Sequence, residues 1–163
     1  MVYYVVSGCP LSLHVWCRRQ AQMFKRDRNI SWSMAKSFIS ALIGIAVDKG
    51  QIDSIEQTVD VYAPMLKGSG YEGVRIKDVL QMSSGVAFNE DYGDFYSDIN
   101  RWGRDFAIGN SQDDFAASLK RGVNPGTKNH YVSIDTHVLS MVLSRSTGPS
   151  AGSDTHLTMP PTR

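Results

Sequence analysis

The chain has 163 residues, 42% of them hydrophobic and 20% charged, with a formal net charge of +1. That length and composition fit one globular domain, or a piece of a larger one. A near-neutral charge without a basic block argues against nucleic acid as a partner, and no run approaches the ~20 apolar residues that span a bilayer.

The first 28 residues read differently from the rest. VYYVV has the branched and aromatic content of a short strand, and CRRQAQMFKRDR is a basic stretch without periodicity, expected as a solvated linker. Cys9 and Cys17 could pair, but two cysteines eight residues apart are no disulfide framework. With no His or Cys cluster beside them no metal site is expected, since structural zinc takes about four ligands. The VSGC tetrad has the form of a lipoprotein cleavage site, yet it lacks a cationic region and a long apolar stretch before it. Cytoplasm is the default compartment.

A helix is expected from Ser33 to Lys49, stopped by Gly50. Ala35, Phe38, Ile39, Leu42, Ile43, Ile45, Ala46 and Val47 cover most of its circumference, the pattern of a helix buried nearly all round. Pro64, Gly68, Gly70 and Gly73 mark loops, a short helix is expected at 76–82, and the acidic, aromatic stretch 89–105 reads as a surface loop or lid. Ser111 with Asp114 is spaced as a capping box. The helix it opens carries Phe115 and Leu119 on one face and ends at Gly122. A further helix at 134–144 presents Ile134, Val138, Leu139, Val142 and Leu143. Met34, Met65, Met82 and Met141 are expected as gap fillers in the core, and the Pro-rich, small-residue tail after 148 as frayed.

One cation breaks the first helix pattern. Lys36 sits three residues after Ser33, and residues three apart share a helix face. Burial and the positive end of the helix dipole both disfavour an ammonium in a first turn. The same dipole and the free N–H groups there favour an oxyanion. A serine hydroxyl needs a base to become a nucleophile, so Ser33 and Lys36 form a candidate nucleophile and base. His130 and His137 suggest, with Asp135, a Ser–His–Asp alternative, but nothing in the spacing brings His137 near Ser33.

The segments ISWSMAKSF, DKGQID, YAPMLKGSGYEGV and LQMSSG, in this order, resemble the serine β-lactamase-related hydrolases. That group includes class C β-lactamases, penicillin-binding DD-peptidases and esterases. FNEDY at 88–92 and HYVSIDTHVLSMVLSRSTG at 130–148 are most similar to 6-aminohexanoate-dimer (nylon oligomer) hydrolases. The resemblance covers about Asp27 to Gly148, leaving 1–26 as an unmatched leader and 149–163 as a tail. It implies an α/β (α+β) fold of the β-lactamase/transpeptidase type, of which this chain would carry mainly the helical part and little of the antiparallel sheet. It implies a hydrolase acting on a small-molecule amide or ester through an acyl-enzyme, with no cofactor.

Carried over residue by residue, Ser33 is the nucleophile, Lys36 its general base, and Tyr131, in the Tyr-Val-Ser triplet 131–133, a proton relay to the leaving group. Ser133 is a hydrogen-bonding partner, and Tyr92 a contact to the scissile amide on the substrate loop. Some relatives carry an acid eleven residues after that tyrosine; here the position is Gly103. Glu90, Asp91 and Asp94 on the same loop read as a solvated face. The Lys-Thr-Gly or His-x-Gly element of the family has no counterpart in the chain, so a catalytically incomplete remnant of such a hydrolase is the alternative.

Overall fold

The computed structural model describes residues 32–147. The strand expected at VYYVV, both cysteines and the tail lie outside them. The chain divides into two compact units, Met1–Met34 and Ala35–Arg163. The described part of the first is three exposed residues, with Trp32 at a positive φ of 46°.

The second unit is built from helices. Helix α1 spans Met34–Asp48, α2 Val59–Tyr62, a 3₁₀ turn Pro64–Leu66, α3 Ile76–Leu80, α4 Asp98–Ala107, α5 Gln112–Ser118 and α6 Ser133–Thr147. Among the described residues no strand forms; two isolated antiparallel bridges, Thr58 with Arg75 and Val86 with Arg121, stand where pairing begins and stops.

Helix α1 ends as its sequence demands. Gly50 adopts φ 68°, its N–H reaches Val47 O at 3.0 Å, and Gln51 N reaches Ala46 O at 2.8 Å. These two bonds are a Schellman closure, which glycine enters without a Cβ penalty. The helix is not buried all round, however. Ile43 and Ala46 are enclosed, while Phe38 is 64% and Ile45 42% exposed. The apolar pattern calls for partners on two sides, and the described residues supply one. Met34, expected to fill a gap, is 68% exposed for the same reason; Met141 does fill the core.

Helix α6 is the centre of the unit, packing against α2, α3 and α5. Ile134, Val138, Leu139, Val142 and Leu143 are all buried, as their spacing requires. The helix runs a residue earlier and three later than the expected 134–144. Around it close Val59, Leu66, Tyr71, Val74, Ile76 and Val79.

The stretch 89–105 is not wholly a loop. Its second half is α4, opened by Ser97 and held to the core by Ile99 and partly buried Trp102. These apolar residues are three apart on one helix face, a signal masked by the acids between them. Helix α5 starts at the expected cap, with Ser111 Oγ accepting from Asp114 N at 3.1 Å. It stops at Ser118 instead of Gly122 because the next residues bond elsewhere. Leu119 O accepts from Gly70 N and Lys120 O from Ala87 N, both at 2.8 Å.

Candidate active site

Tyr131, Val132 and Ser133 alternate in environment, and this alternation builds the site. Val132 is 1% exposed and anchors the triplet, while Tyr131 projects outward, half exposed. The approach to the triplet is held by Asn129, whose side chain donates to Gln81 O at 2.8 Å, and by His130 N, which donates to Met82 O at 2.7 Å. Ser133 then becomes the first residue of α6.

Lys36, in the first turn of α1, comes to this triplet from 97 residues away. Its Nζ donates to Ser133 Oγ at 3.2 Å and lies 5.0 Å from the centre of the Tyr131 ring, over its face. An ammonium at that distance is attracted by the ring's negative face. Lys36 is half-buried, so its surroundings are drier than water without being a sealed interior. Lys36, Tyr131 and Ser133 are therefore brought together. Ser33 is exposed and belongs to the first unit, joined to Lys36 through the Met34–Ala35 link.

Glu90, read from the sequence as solvated, is a partner of the triplet. Its Oε1 accepts from Ser133 Oγ at 2.5 Å and its Oε2 from Ser133 N at 2.6 Å. A carboxylate on the first N–H of a helix satisfies a donor that has no intrahelical acceptor. No sequence pattern marks this pairing, because Glu90 and Ser133 are 43 residues apart.

Tyr92 is 67% exposed, and its hydroxyl donates to Glu90 Oε1 at 3.2 Å. With Phe95, Asn100, Gly103 and Arg104 it lines an open groove of about 510 Å³. Arg104 is held in the groove wall, its guanidinium 4.2 Å from the Phe95 ring centre and donating to Phe95 O at 2.7 Å. Gly103 leaves its side of the groove without a side chain.

The histidine alternative does not assemble. His137 Nε2 pairs with Asp113 Oδ1 at 3.0 Å, and Asp113 Oδ2 accepts from Arg145 at 2.8 Å. Burial pushes His137 below the usual histidine range, against the pull of Asp113. Burial also favours protonated Asp113, but Arg145 and His137 outweigh it and hold the carboxyl low. Asp135 faces away from His137 into the core, where its Oδ1 accepts from Tyr71 Oη at 2.7 Å. Its Oδ2 has no hydrogen-bond partner among the described residues. Burial raises Asp135 to about 7, opposed by the Tyr71 hydrogen bond and by Ser84, which lies near without a well-formed bond to Oδ2. Burial likewise drives the Tyr71 phenol well above its ordinary range. No group of three or more His, Cys, Asp or Glu among the described residues could hold a metal ion.

Three comparisons relate the chain to known proteins. The β-lactamase family model matches residues 20–156, and the chain belongs to that family. A 6-aminohexanoate-dimer hydrolase of Paenarthrobacter ureafaciens is 33% identical over 129 residues, covering 75% of this chain and 32% of the relative. A class C β-lactamase mutant superposes with a TM-score of 0.54 at 26% identity, over 72% of this chain and 29% of that one. A Bacillus anthracis protein described as a 6-aminohexanoate-dimer hydrolase has the same TM-score at 20% identity, over 71% of this chain and 33% of its own length, and supports the fold alone. The fold is thus that of the β-lactamase/transpeptidase group, represented here by its helical part. The chain spans about a third of the length of these relatives. No helix among the described residues is long and apolar enough to cross a membrane.

Proposed function

We propose that this chain carries the nucleophile, base and proton relay of a serine hydrolase that cleaves amide or ester bonds in a small molecule, as in 6-aminohexanoate-dimer hydrolases and related esterases. The observation that carries the reading is Lys36 Nζ, held 3.2 Å from Ser133 Oγ and 5.0 Å from the Tyr131 ring centre.

In this mechanism the Lys36 amine takes the proton of Ser33 Oγ as that oxygen bonds to the substrate carbonyl carbon, leaving a tetrahedral oxyanion. Collapse of the oxyanion breaks the bond to the leaving nitrogen or oxygen, which takes a proton delivered through the Tyr131 phenol. The acyl group remains on Ser33 until water, giving a proton to the same groups, bonds to the acyl carbon; the carbon–Oγ bond then breaks, Ser33 Oγ takes that proton back and the acid leaves. Tyr92 would contact the scissile group from the groove wall, and Ser133 would steady Lys36. The Gly103 side of the groove offers no carboxylate to a substrate ammonium.

The test is labelling of the purified chain with a fluorophosphonate and turnover of a chromogenic ester and a cephalosporin. A mass increase on the peptide containing Ser33, absent in Ser33→Ala, is the expected result. No labelling and no turnover in a folded sample would sink the reading. A second reading, in which this chain alone does not assemble a working site, is favoured by the exposed apolar side of α1, with Phe38 and Ile45 toward solvent. That outcome predicts a folded chain with an unlabelled Ser33.

A further inference from the structure

Glu90 reaches Ser133 of the Tyr131–Ser133 triplet from its loop, and its contacts leave few arrangements for the protons. A carboxylate only accepts hydrogen bonds, and a serine hydroxyl has one proton to give. With Ser133 Oγ 2.5 Å from Glu90 Oε1, that proton points at Glu90. Ser133 Oγ can then only accept along its other contact, so at 3.2 Å Lys36 must be the donor. The second carboxylate oxygen holds the Ser133 N–H at 2.6 Å, fixing the register of Glu90 against the start of α6. The same Oε1 accepts from the Tyr92 hydroxyl at 3.2 Å, so the groove wall hangs from the same carboxylate.

We propose that Glu90 is a positioning residue: by turning the Ser133 hydroxyl proton away from Lys36, it holds one N–H of the lysine in place and leaves the amine lone pair for the Ser33 proton, while it ties Tyr92 to the same point. This rests on the hydrolase reading above, but the Glu90–Ser133 link is testable apart from it. Were the Ser133 proton to face Lys36 instead, the hydroxyl would occupy the lone pair the reaction requires. A glutamine at 90 has the same shape but one accepting oxygen. Its amide N–H₂ must either confront the Ser133 N–H, donor against donor, or donate to Ser133 Oγ and turn the hydroxyl proton toward Lys36.

Two measurements decide it. The first is the amide proton shift of Ser133 in the wild-type chain by ¹⁵N-correlated NMR, with the same signal in Glu90→Gln. A short charge-assisted bond places the wild-type signal about 1 ppm or more downfield of an ordinary amide, and the variant moves it back upfield. A wild-type shift in the ordinary range overturns the proposal without recourse to any variant. The second is fluorophosphonate labelling of Ser33, analysed as maximal rate and half-saturating concentration in wild type, Glu90→Gln, Ser133→Ala and the double variant. The expected loss in maximal rate for Glu90→Gln is about tenfold or more with half-saturation changed less than about twofold, and little further loss when Ser133 is already alanine. Equal losses in both backgrounds, or a change in half-saturation alone, overturn it. A wild-type chain that resists labelling while its Ser133 amide responds to Glu90→Gln removes the hydrolase reading and leaves the Glu90–Ser133 link standing.

Discussion

Single residues here divide into those that hold the core and those that serve the site, and Asp135 belongs to the first group although it sits two residues from Ser133. Its carboxyl, raised to about 7 in the folded chain by burial, lies near 4 when unfolded. The native state therefore binds the proton more tightly between these limits. Its contribution is full below about pH 4 and is lost as pH rises through 7, at up to ~1.4 kcal/mol per pH unit within that window. Melting temperatures across this range should fall less steeply in Asp135→Asn than in wild type, because the amide keeps an oxygen for Tyr71 and carries no charge to bury. An identical slope in both proteins would refute this. Tyr131 is proposed for the second group. If it delivers the proton to the leaving group, Tyr131→Phe should reduce amide cleavage by about 10²-fold or more. An ester with an acidic leaving alcohol, which departs unprotonated, should lose far less. Equal losses on both substrates would assign Tyr131 another role.

At the scale of elements, helices with a marked end or a clear apolar spacing were legible, the short α3 expected at 76–82 among them, and those without such marks were not. The Schellman end of α1 and the cap of α5 were written in Gly50 and Ser111, and the apolar face of α6 in its spacing. Helix α2 and the 3₁₀ turn have too few residues to show a period, and the acids of α4 hid its apolar face. Of the candidate site residues, Ser33 and Lys36 were named from their spacing and Tyr131 and Ser133 from the family resemblance, whereas Glu90 was read as solvated, because its partner is set by tertiary contact. The turn at Gly85 shows how strict such contacts are. Gly85 has φ 78°, and a Cβ there would lie 2.3 Å from Val123 O, with the backbone carbons of Val123 and Asn124 at 3.1 and 3.2 Å. Neither the dihedral nor the neighbour can yield cheaply. Gly85→Ala should cost at least ~2 kcal/mol in denaturant titration, whereas Gly44→Ala, with open space at the Cβ, should be neutral or stabilising through helix propensity. A cost below that of an ordinary surface change at Gly85 would mean the turn can shift.

For the whole molecule, the exposed side of α1 is the main departure from what its sequence calls for. Phe38 and Ile45 contribute little to the core in this arrangement, so replacing both with Gln should alter stability by less than ~1 kcal/mol while lowering the binding of a hydrophobic dye. A collapse in stability would show that the face is covered in solution. The hydrogen bond from Lys36 to Ser133 has a different consequence, for the order of folding events. It joins residues 97 apart and so closes a loop that holds most of the described chain. Closing a loop that long is disfavoured until other contacts have shortened it. The core around α6 is therefore expected to condense first, and the Lys36–Ser133 contact to be among the last features to form. Neither α1 nor the Tyr-Val-Ser turn, cut out as a peptide, would retain any trace of it.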